Sequence, residues 1–158
     1  MSILTNREAV EIRETFRQEK KKVVFTNGVF DILHAGHVDY LIKAREAGDV
    51  LIVGLNNDAS VRRIKGEYRP VVPEDQRAFV LSNLKPVDFV VLFGEDTPLK
   101  LIEQIVPDIL VKGSDWSLDN IVGKDIVLEN GGEVKTIEFV NFQSTSGIIR
   151  KILERYSS

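Results

Sequence analysis

The sequence contains no cysteine and only two histidines among its 158 residues. The absence of cysteine excludes disulfide bonds, thiolate metal sites and cysteine nucleophiles. No apolar run approaches the roughly 20 residues that a membrane-spanning helix needs, so a membrane partner is not expected. The net charge is −3, whereas a nucleic-acid partner requires a basic surface. The composition therefore argues against nucleic-acid binding.

The overall composition, with 43% hydrophobic and 28% charged residues, is that of an ordinary soluble globular protein. A length of 158 residues suits one domain with a real hydrophobic core. We therefore expect a single domain over residues 1–158. Charged residues follow the first methionine too early for a secretory signal peptide, and a cytoplasmic location is expected.

Segments of strand type and helix type alternate along the chain. We predict a first helix over about 6–18, then a core over 22–156 in which about five strands alternate with helices. This pattern is typical of an α/β fold, a Rossmann-like doubly wound parallel sheet. In such sheets ligands bind at the carboxyl ends of the strands. Polar segments follow the predicted strands at 26–37, 56–58, 112–116 and 143–146.

The two histidines, His34 and His37, lie where a predicted strand gives way to a helix. Val23-Val24-Phe25 reads as a short buried strand, and a helical pattern begins at Val38. A helix N-terminus offers free N–H groups and a partial positive charge, which suit a phosphate. Residues three apart face the same side of a helical turn, so both imidazoles can add donors to one anion. The alternative is that both are structural cap or core histidines.

Residues 26–37, Thr-Asn-Gly-Val-Phe-Asp-Ile-Leu-His-Ala-Gly-His, resemble the signature of the HxGH nucleotidyltransferase superfamily. Its members transfer a nucleoside monophosphate from a nucleoside triphosphate to a phosphorylated acceptor. The resemblance implies that His34 and His37 are catalytic, hold the triphosphate and stabilise the transition state. It implies nucleotide contacts from the residues before them: Thr26, Asn27, Gly28 and Phe30. A serine nucleophile is not indicated, because no G-x-S-x-G elbow is present.

Two later segments resemble nucleotide-binding parts of the same superfamily. Residues 112–116 match a Gly-x-Asp-aromatic loop, and Trp116 could stack on the base or equally cover the edge of the core. Residues 144–146 match a Ser/Thr-rich motif that binds triphosphate at a helix N-terminus, although they could be an ordinary N-cap. The nucleotide contacts implied here are Lys112, Gly113, Asp115, Trp116, Ser144, Thr145 and Ser146.

Five charged residues are candidates for binding the acceptor substrate. Asp31 either orients the turn or is a plain cap. Arg45 lies where many superfamily members carry a basic residue near the acceptor phosphate, although a solvated charge is the usual case. Lys65 and Arg69 occupy a loop that could close over a phosphorylated acceptor or remain solvated. Arg77 resembles a basic helix residue near the active site of related cytidylyltransferases.

The resemblance covers nearly the whole chain and points to the adenylyltransferase domains of the ADP-heptose pathway. Residues 53–61, Val-Gly-Leu-Asn-Asn-Asp-Ala-Ser-Val, and 107–116, Pro-Asp-Ile-Leu-Val-Lys-Gly-Ser-Asp-Trp, carry it. It implies transfer of AMP from ATP, which enters with Mg²⁺, to D-glycero-β-D-manno-heptose 1-phosphate for synthesis of the lipopolysaccharide core. It also implies a homo-oligomer and a separate sugar kinase upstream in the pathway.

One residue and one short segment depart from this pattern. Val29 replaces the usual cysteine, and residues 141–143, Asn-Phe-Gln, replace a glycine-containing segment. Related cytidylyltransferases place an Arg-Thr pair there, and the lack of arginine between Lys135 and Ser144 favours ATP over CTP. The alternatives are another nucleotidyltransferase of the same fold, such as one that uses CTP with glycerol 3-phosphate, or a non-catalytic nucleotide-binding module. The intact H-x-G-H argues against the module.

Overall fold

Strands and helices alternate along the chain in the computed structural model, which describes residues 2–114, 117–138 and 144–157. Runs of branched and aromatic apolar residues form the strands, in keeping with their β propensity. The strands are β1 (Ile3–Leu4), β2 (Val23–Gly28), β3 (Val50–Asn56), β4 (Phe89–Phe93), β5 (Ile109–Gly113) and β6 (Glu133–Ile137). The helices are α1 (Asn6–Gln18), α2 (Ala35–Glu46), α3 (Asp58–Lys65), α4 (Glu74–Ser82), α5 (Leu99–Ile105), α6 (Lys124–Glu129) and α7 (Thr145–Tyr156).

The strands form one six-stranded parallel sheet in the order β1-β4-β3-β2-β5-β6. The chain winds outward from β2 through β3 and β4, and then returns to add β5 on the other side of β2. The winding therefore changes direction between β2 and β5, which is where ligands bind in such sheets. This topology confirms the predicted α/β, doubly wound parallel fold.

The sheet has one strand more than the roughly five that the sequence pattern predicts. The additional strand, β1, has two residues and pairs Ile3 with Val90 and Leu4 with Val91. A segment this short has no periodicity to recognise. Its pairing depends on the edge that β4 presents, which is a tertiary contact.

The first helix has the predicted bounds, and a capping box fixes where it begins. The Thr5 hydroxyl accepts the Glu8 amide at 3.3 Å, and the Glu8 carboxylate accepts the Thr5 amide at 2.7 Å. None of the helices in the described residues is long and apolar enough to cross a membrane.

Helices cover both faces of the sheet. In β3, Leu51 and Val53 pack with residues of α2 and α4, whereas Val50 and Ile52 pack with residues of α1, α5 and α6. Every residue of β3 is buried, as expected for a central parallel strand. The carboxyl ends of the strands open onto the surface, where the polar segments collect.

Candidate active site

The helix α2 begins within the H-x-G-H string. His34 is the N-cap, and its Nδ1 accepts the Gly36 amide at 3.2 Å. An accepting Nδ1 assigns the proton of the neutral ring to Nε2. The rings of His34 and His37 stack, with centroids 3.9 Å apart and planes inclined by 29°. The two imidazoles therefore lie together, as their three-residue spacing predicts.

One aromatic ring of the turn before α2 packs against His37. Phe30 is buried and adopts a left-handed backbone with φ of 46°, which is unusual for a bulky residue. Its ring lies edge-on to His37, with centroids 5.3 Å apart. A Cβ on Gly28 would lie 2.8 Å from the Phe30 ring, closer than atoms can approach. Glycine at 28 therefore allows Phe30 to support His37.

Burial lowers the pKa of both imidazoles. The pKa of His37 falls to about 4, first because the ring is buried and second because His34 is adjacent. Burial also lowers the pKa of His34. Both rings are therefore neutral at pH 7 and can donate a neutral N–H. Nδ1 of His37 is buried without a hydrogen-bond partner among the described residues, so no described group fixes the tautomer of that ring.

A cleft of about 570 Å³ opens beside His37 at the carboxyl ends of β2, β3 and β5. This volume lies within the range of small-molecule sites, roughly 300–1,000 Å³. The predicted site residues that reach it come from four separate parts of the chain. The predicted site residues that line it, besides His37, are Asn27, Gly28, Phe30, Asp31, Lys65, Arg69, Lys112, Gly113, Ser144, Thr145 and Ser146.

Three basic and two acidic residues line the cleft, and both acidic residues, Asp31 and Asp96, pair with arginines. Lys65, Arg69 and Lys112 all line it. Lys112 is 9% exposed, and its ammonium contacts the Asn27 side-chain oxygen. Cations beside a concave, partly dehydrated surface concentrate anions there. The electrostatics of the cleft therefore suit a phosphorylated ligand.

The carboxylate of Asp31 forms hydrogen bonds to other groups of the protein. Its side chain is 0% exposed, and it accepts the Val71 and Val72 amides at 2.9 Å and Arg69 Nε at 2.5 Å. Burial alone would raise the pKa of Asp31, but the bonds from the two amides and Arg69 hold that pKa below its ordinary value. These contacts favour the orienting role for Asp31 over contact with substrate.

The start of α7 forms another wall of the cleft. The Ser144 hydroxyl caps the helix by accepting the Gly147 amide at 3.0 Å. The Thr145 hydroxyl approaches the Ile32 carbonyl at 3.5 Å, which joins this helix to the β2–α2 turn. Ser146 also lines the cleft. The cap and a position on the cleft wall are therefore compatible, because Ser144 caps the helix and also lines the cleft.

The structure corrects the predicted nucleotide contact of Thr26. This residue is 0% exposed, and its hydroxyl lies 2.7 Å from the hydroxyl of Tyr40. The Tyr40 hydroxyl donates to the Val111 carbonyl at 3.3 Å, so Thr26 joins β2 to α2. Tyr40 lines the cleft and is absent from the sequence predictions. Its position three residues after His37 is the signal that could have identified it.

Arg45 and Arg77 do not line the cleft, and the structure corrects their predicted contact with substrate. Arg45 pairs with Asp88 at 2.8 Å and donates to the Gly48 carbonyl at 2.7 Å. Asp88 and Gly48 precede β4 and β3, so Arg45 lies at the amino edge of the sheet, opposite the cleft. The side chain of Arg77 is 0% exposed, and its donors point to other parts of the protein.

Several lining residues are absent from the sequence predictions. Val29, Ile64, Val122 and the segment 96–98 line the cleft. The segment 96–98 follows β4, so the rule that placed ligands at strand ends could have found it. Asn56, from the polar segment 56–58, also lines the cleft. The predicted nucleotide contacts Asp115 and Trp116, and the departure at 141–143, lie outside the described residues.

A model of the cytidylyltransferase-like family matches residues 25–151. This range includes both histidines and every residue of the cleft wall. The bifunctional protein HldE of Citrifermentans bemidjiense is 61% identical over 136 residues, which are 86% of this chain and 28% of that protein. The bifunctional protein HldE of Campylobacter concisus is 60% identical over 143 residues, which are 90% of this chain and 29% of that protein. This chain therefore spans less than a third of the length of these relatives.

Solved structures share the fold. The lipopolysaccharide core biosynthesis protein from Thermoplasma volcanium matches with a TM-score of 0.64 and 31% identity, over 78% of this chain and 99% of that chain. Pantothenate synthetase from Thermus thermophilus matches with a TM-score of 0.61 over 98% of this chain and 72% of that chain. The latter is 16% identical, so the similarity concerns the fold alone.

Proposed function

Because this chain belongs to the cytidylyltransferase-like family of nucleotidyltransferases, we propose that it transfers AMP from ATP to a sugar 1-phosphate. The acceptor we propose is D-glycero-β-D-manno-heptose 1-phosphate, and the products are ADP-heptose and pyrophosphate. The observation that carries this proposal is the stacked pair of His34 and His37 at the start of α2, with His37 on the wall of a cleft that Lys65 and Lys112 also line.

The reaction needs positioning and positive charge more than a covalent nucleophile. An oxygen of the acceptor phosphate attacks the α-phosphorus of ATP in line and forms the new P–O bond. The bond from the α-phosphorus to the bridging oxygen breaks, and pyrophosphate leaves with that electron pair. Negative charge develops on the oxygens around the α-phosphorus. N–H donors of His34 and His37 would stabilise this charge, because preorganised donors act strongly in a partly dry site.

The two substrates would approach the histidines from opposite sides. Lys112 belongs to β5, on one side of β2, whereas Lys65 and Arg69 follow β3 on the other side, and the start of α7 contacts the β2–α2 turn. We assign the triphosphate to Lys112 on the β5 side and to the start of α7. The acceptor phosphate then occupies the β3 side, beside Lys65 and Arg69.

Magnesium is expected to bind together with the nucleotide. The described residues hold no group of three or more His, Asp or Glu side chains that could form a protein cage for a metal ion. Mg²⁺ in nucleotide sites is often bound by phosphate oxygens and water. We propose that it binds as MgATP and offsets triphosphate charge alongside Lys112.

Relatives and sequence support the choice of acceptor. One solved relative is a lipopolysaccharide core biosynthesis protein, and two curated relatives are named bifunctional protein HldE. The segments 53–61 and 107–116 resemble adenylyltransferase domains of the ADP-heptose pathway. We propose a sugar kinase as the upstream partner that supplies the 1-phosphate. A homo-oligomer and a cytoplasmic location stay predictions.

Pyrophosphate release tests the function directly. The assay combines ATP or CTP and Mg²⁺ with heptose 1-phosphate, glycerol 3-phosphate or pantetheine 4′-phosphate, and uses the His37→Ala protein as the background. Release with ATP and heptose 1-phosphate alone supports the proposal. Release with CTP or another acceptor overturns the substrate but keeps the reaction class. No release with any pair, in a protein that binds ATP, favours a binding module.

A further inference from the structure

A buried guanidinium joins four segments around the active site. Arg77 lies on α4, with its side chain 0% exposed. It donates to the carbonyl of Val29 at 2.7 Å, of Asn56 at 2.9 Å and of Val72 at 2.9 Å. Its remaining terminal nitrogen pairs with Asp58 at 2.7 Å. These partners belong to the β2–α2 turn, the end of β3, the segment before α4 and the start of α3.

Asp31 binds the same segment that Arg77 holds at Val72. The Val72 amide donates to Asp31 at 2.9 Å, and the Val72 carbonyl accepts from Arg77 at 2.9 Å. Val29 and Asp31 belong to the same turn, so the turn 29–31 holds the segment 69–72 at two points. Arg69, on that segment, is held by Asp31 at 2.5 Å and lines the cleft.

We infer that Arg77 is a positioning residue that fixes Arg69 and the segment 69–72 relative to the histidines. The acceptor side of this inference rests on the proposed function. Arg77 touches no cleft space, so its effect passes through the backbone of Val29 and Val72. A displacement of about 1 Å at a substrate-positioning group can reduce turnover about a hundredfold.

The chemistry of the side chain supports this role over simple filling of the core. Arginine offers five N–H donors in a rigid planar fork, whereas lysine offers one flexible ammonium. One ammonium cannot reach three carbonyls and a carboxylate in the same geometry. In addition, a buried ion pair is weak evidence of stabilisation, because replacing such a pair with apolar residues often leaves the stability of a protein unchanged. The four bonds of Arg77 to segments around the cleft fit a requirement for orientation.

Arg13 provides a matched control. It is also buried, with its side chain 5% exposed, and it donates to the Val106 carbonyl and to Asp108. Asp108 precedes β5, so this second buried arginine lies at the amino edge of the sheet, away from the cleft. The Arg13→Lys variant should therefore lower the stability of the fold about as much as Arg77→Lys does, and it does not touch the site.

The test compares Arg77→Lys with Arg13→Lys in thermal unfolding, steady-state kinetics and amide hydrogen exchange. We expect Arg77→Lys to raise the KM for the acceptor about tenfold or more while the KM for ATP stays nearly unchanged. Exchange in the peptide that contains Val71 and Val72 should accelerate. Arg13→Lys should lower the unfolding temperature but leave both KM values and that peptide unchanged. If Arg77→Lys does not fold, Asp31→Asn should show the same acceptor effect and the same faster exchange.

The two proposals fail differently. Lack of turnover by the unmodified protein with heptose 1-phosphate overturns the proposed acceptor, and the exchange measurement still reads the positioning role. Unchanged exchange at 71–72 in a folded Arg77→Lys protein overturns the positioning role. Equal changes in both KM values, or the same kinetic change in Arg13→Lys, also overturn it.

Discussion

The imidazole rings of His34 and His37 stack with their centroids 3.9 Å apart. His34 ends the turn as the N-cap of α2, and His37 follows within the first helical turn. Because a proton on one ring disfavours a proton on its neighbour, the stack adds to the effect of burial on the pKa of His37. The two imidazoles are thus stacked at the start of α2, and His37 lines the cleft.

Replacement of His37 by alanine should lower kcat about 10²- to 10³-fold, which is the usual loss when one donor to a transition state is removed. The KM for ATP should change much less, because Lys112 and the start of α7 remain. Pyrophosphate release measures both constants. Arg45→Ala is the control, since Arg45 lies at the opposite edge of the sheet, and it should keep the original kcat. A folded His37→Ala protein with undiminished kcat would contradict the catalytic role.

The imidazole of His37 should titrate near pH 4 in the free protein. Its pKa is lower in the folded state than the ordinary 6.5, so the unfolded chain binds the proton more tightly. The contribution of His37 to stability is therefore complete above about pH 6.5 and is lost as the pH falls toward 4.

Imidazole resonances in NMR titrations measure this pKa, and a His34→Asn variant assigns the two rings. MgATP should raise the pKa of His37, because a nearby phosphate favours the imidazolium. An ordinary pKa for His37 in the free protein would contradict the burial that the structure shows.

Replacement of Lys65 by alanine should raise the KM for the acceptor about tenfold, the loss expected for one hydrogen bond to a charged group. The KM for ATP should stay the same, because Lys65 lies on the β3 side of the cleft. Lys85→Ala is the matched control, since Lys85 is exposed before β4 at the other edge. A larger rise in the KM for ATP than in the KM for the acceptor would reverse the assignment of the two sides.

Replacement of Thr26 by valine should leave the KM for ATP unchanged and lower the free energy of unfolding by about 1 kcal/mol. Valine keeps the shape but loses the bond to Tyr40. Urea unfolding of Thr26→Val, Tyr40→Phe and the double variant forms a double-mutant cycle, in which the two losses should not add. Weaker ATP binding at undiminished stability would restore Thr26 as a nucleotide contact.

Much of the fold follows from local pattern. The apolar run at 23–25 predicts β2 and the helical pattern over about 6–18 predicts α1, because periodicity is a local signal. The pairing of β1 with β4 depends on a contact between distant parts of the chain. No local pattern in two residues encodes it.

The site was predictable where residues follow one another in the chain and less so where the sheet brings segments together. The histidine pair and the start of α7 follow from short motifs. Thr26 and Arg77 carry polar groups that sequence reasoning assigned to ligands, whereas the fold turns those groups inward to Tyr40 and to backbone carbonyls. Which way a polar side chain faces depends on the strand register and helix packing around it.

Labelled ATP tests adenylyl transfer most directly. The protein is incubated with heptose 1-phosphate, Mg²⁺ and ATP labelled at either the α- or the γ-phosphorus, and the products are separated. We predict that the α-label enters the sugar nucleotide and the γ-label leaves as pyrophosphate. Appearance of the γ-label in the sugar product, or of the α-label only in free AMP, would contradict the account.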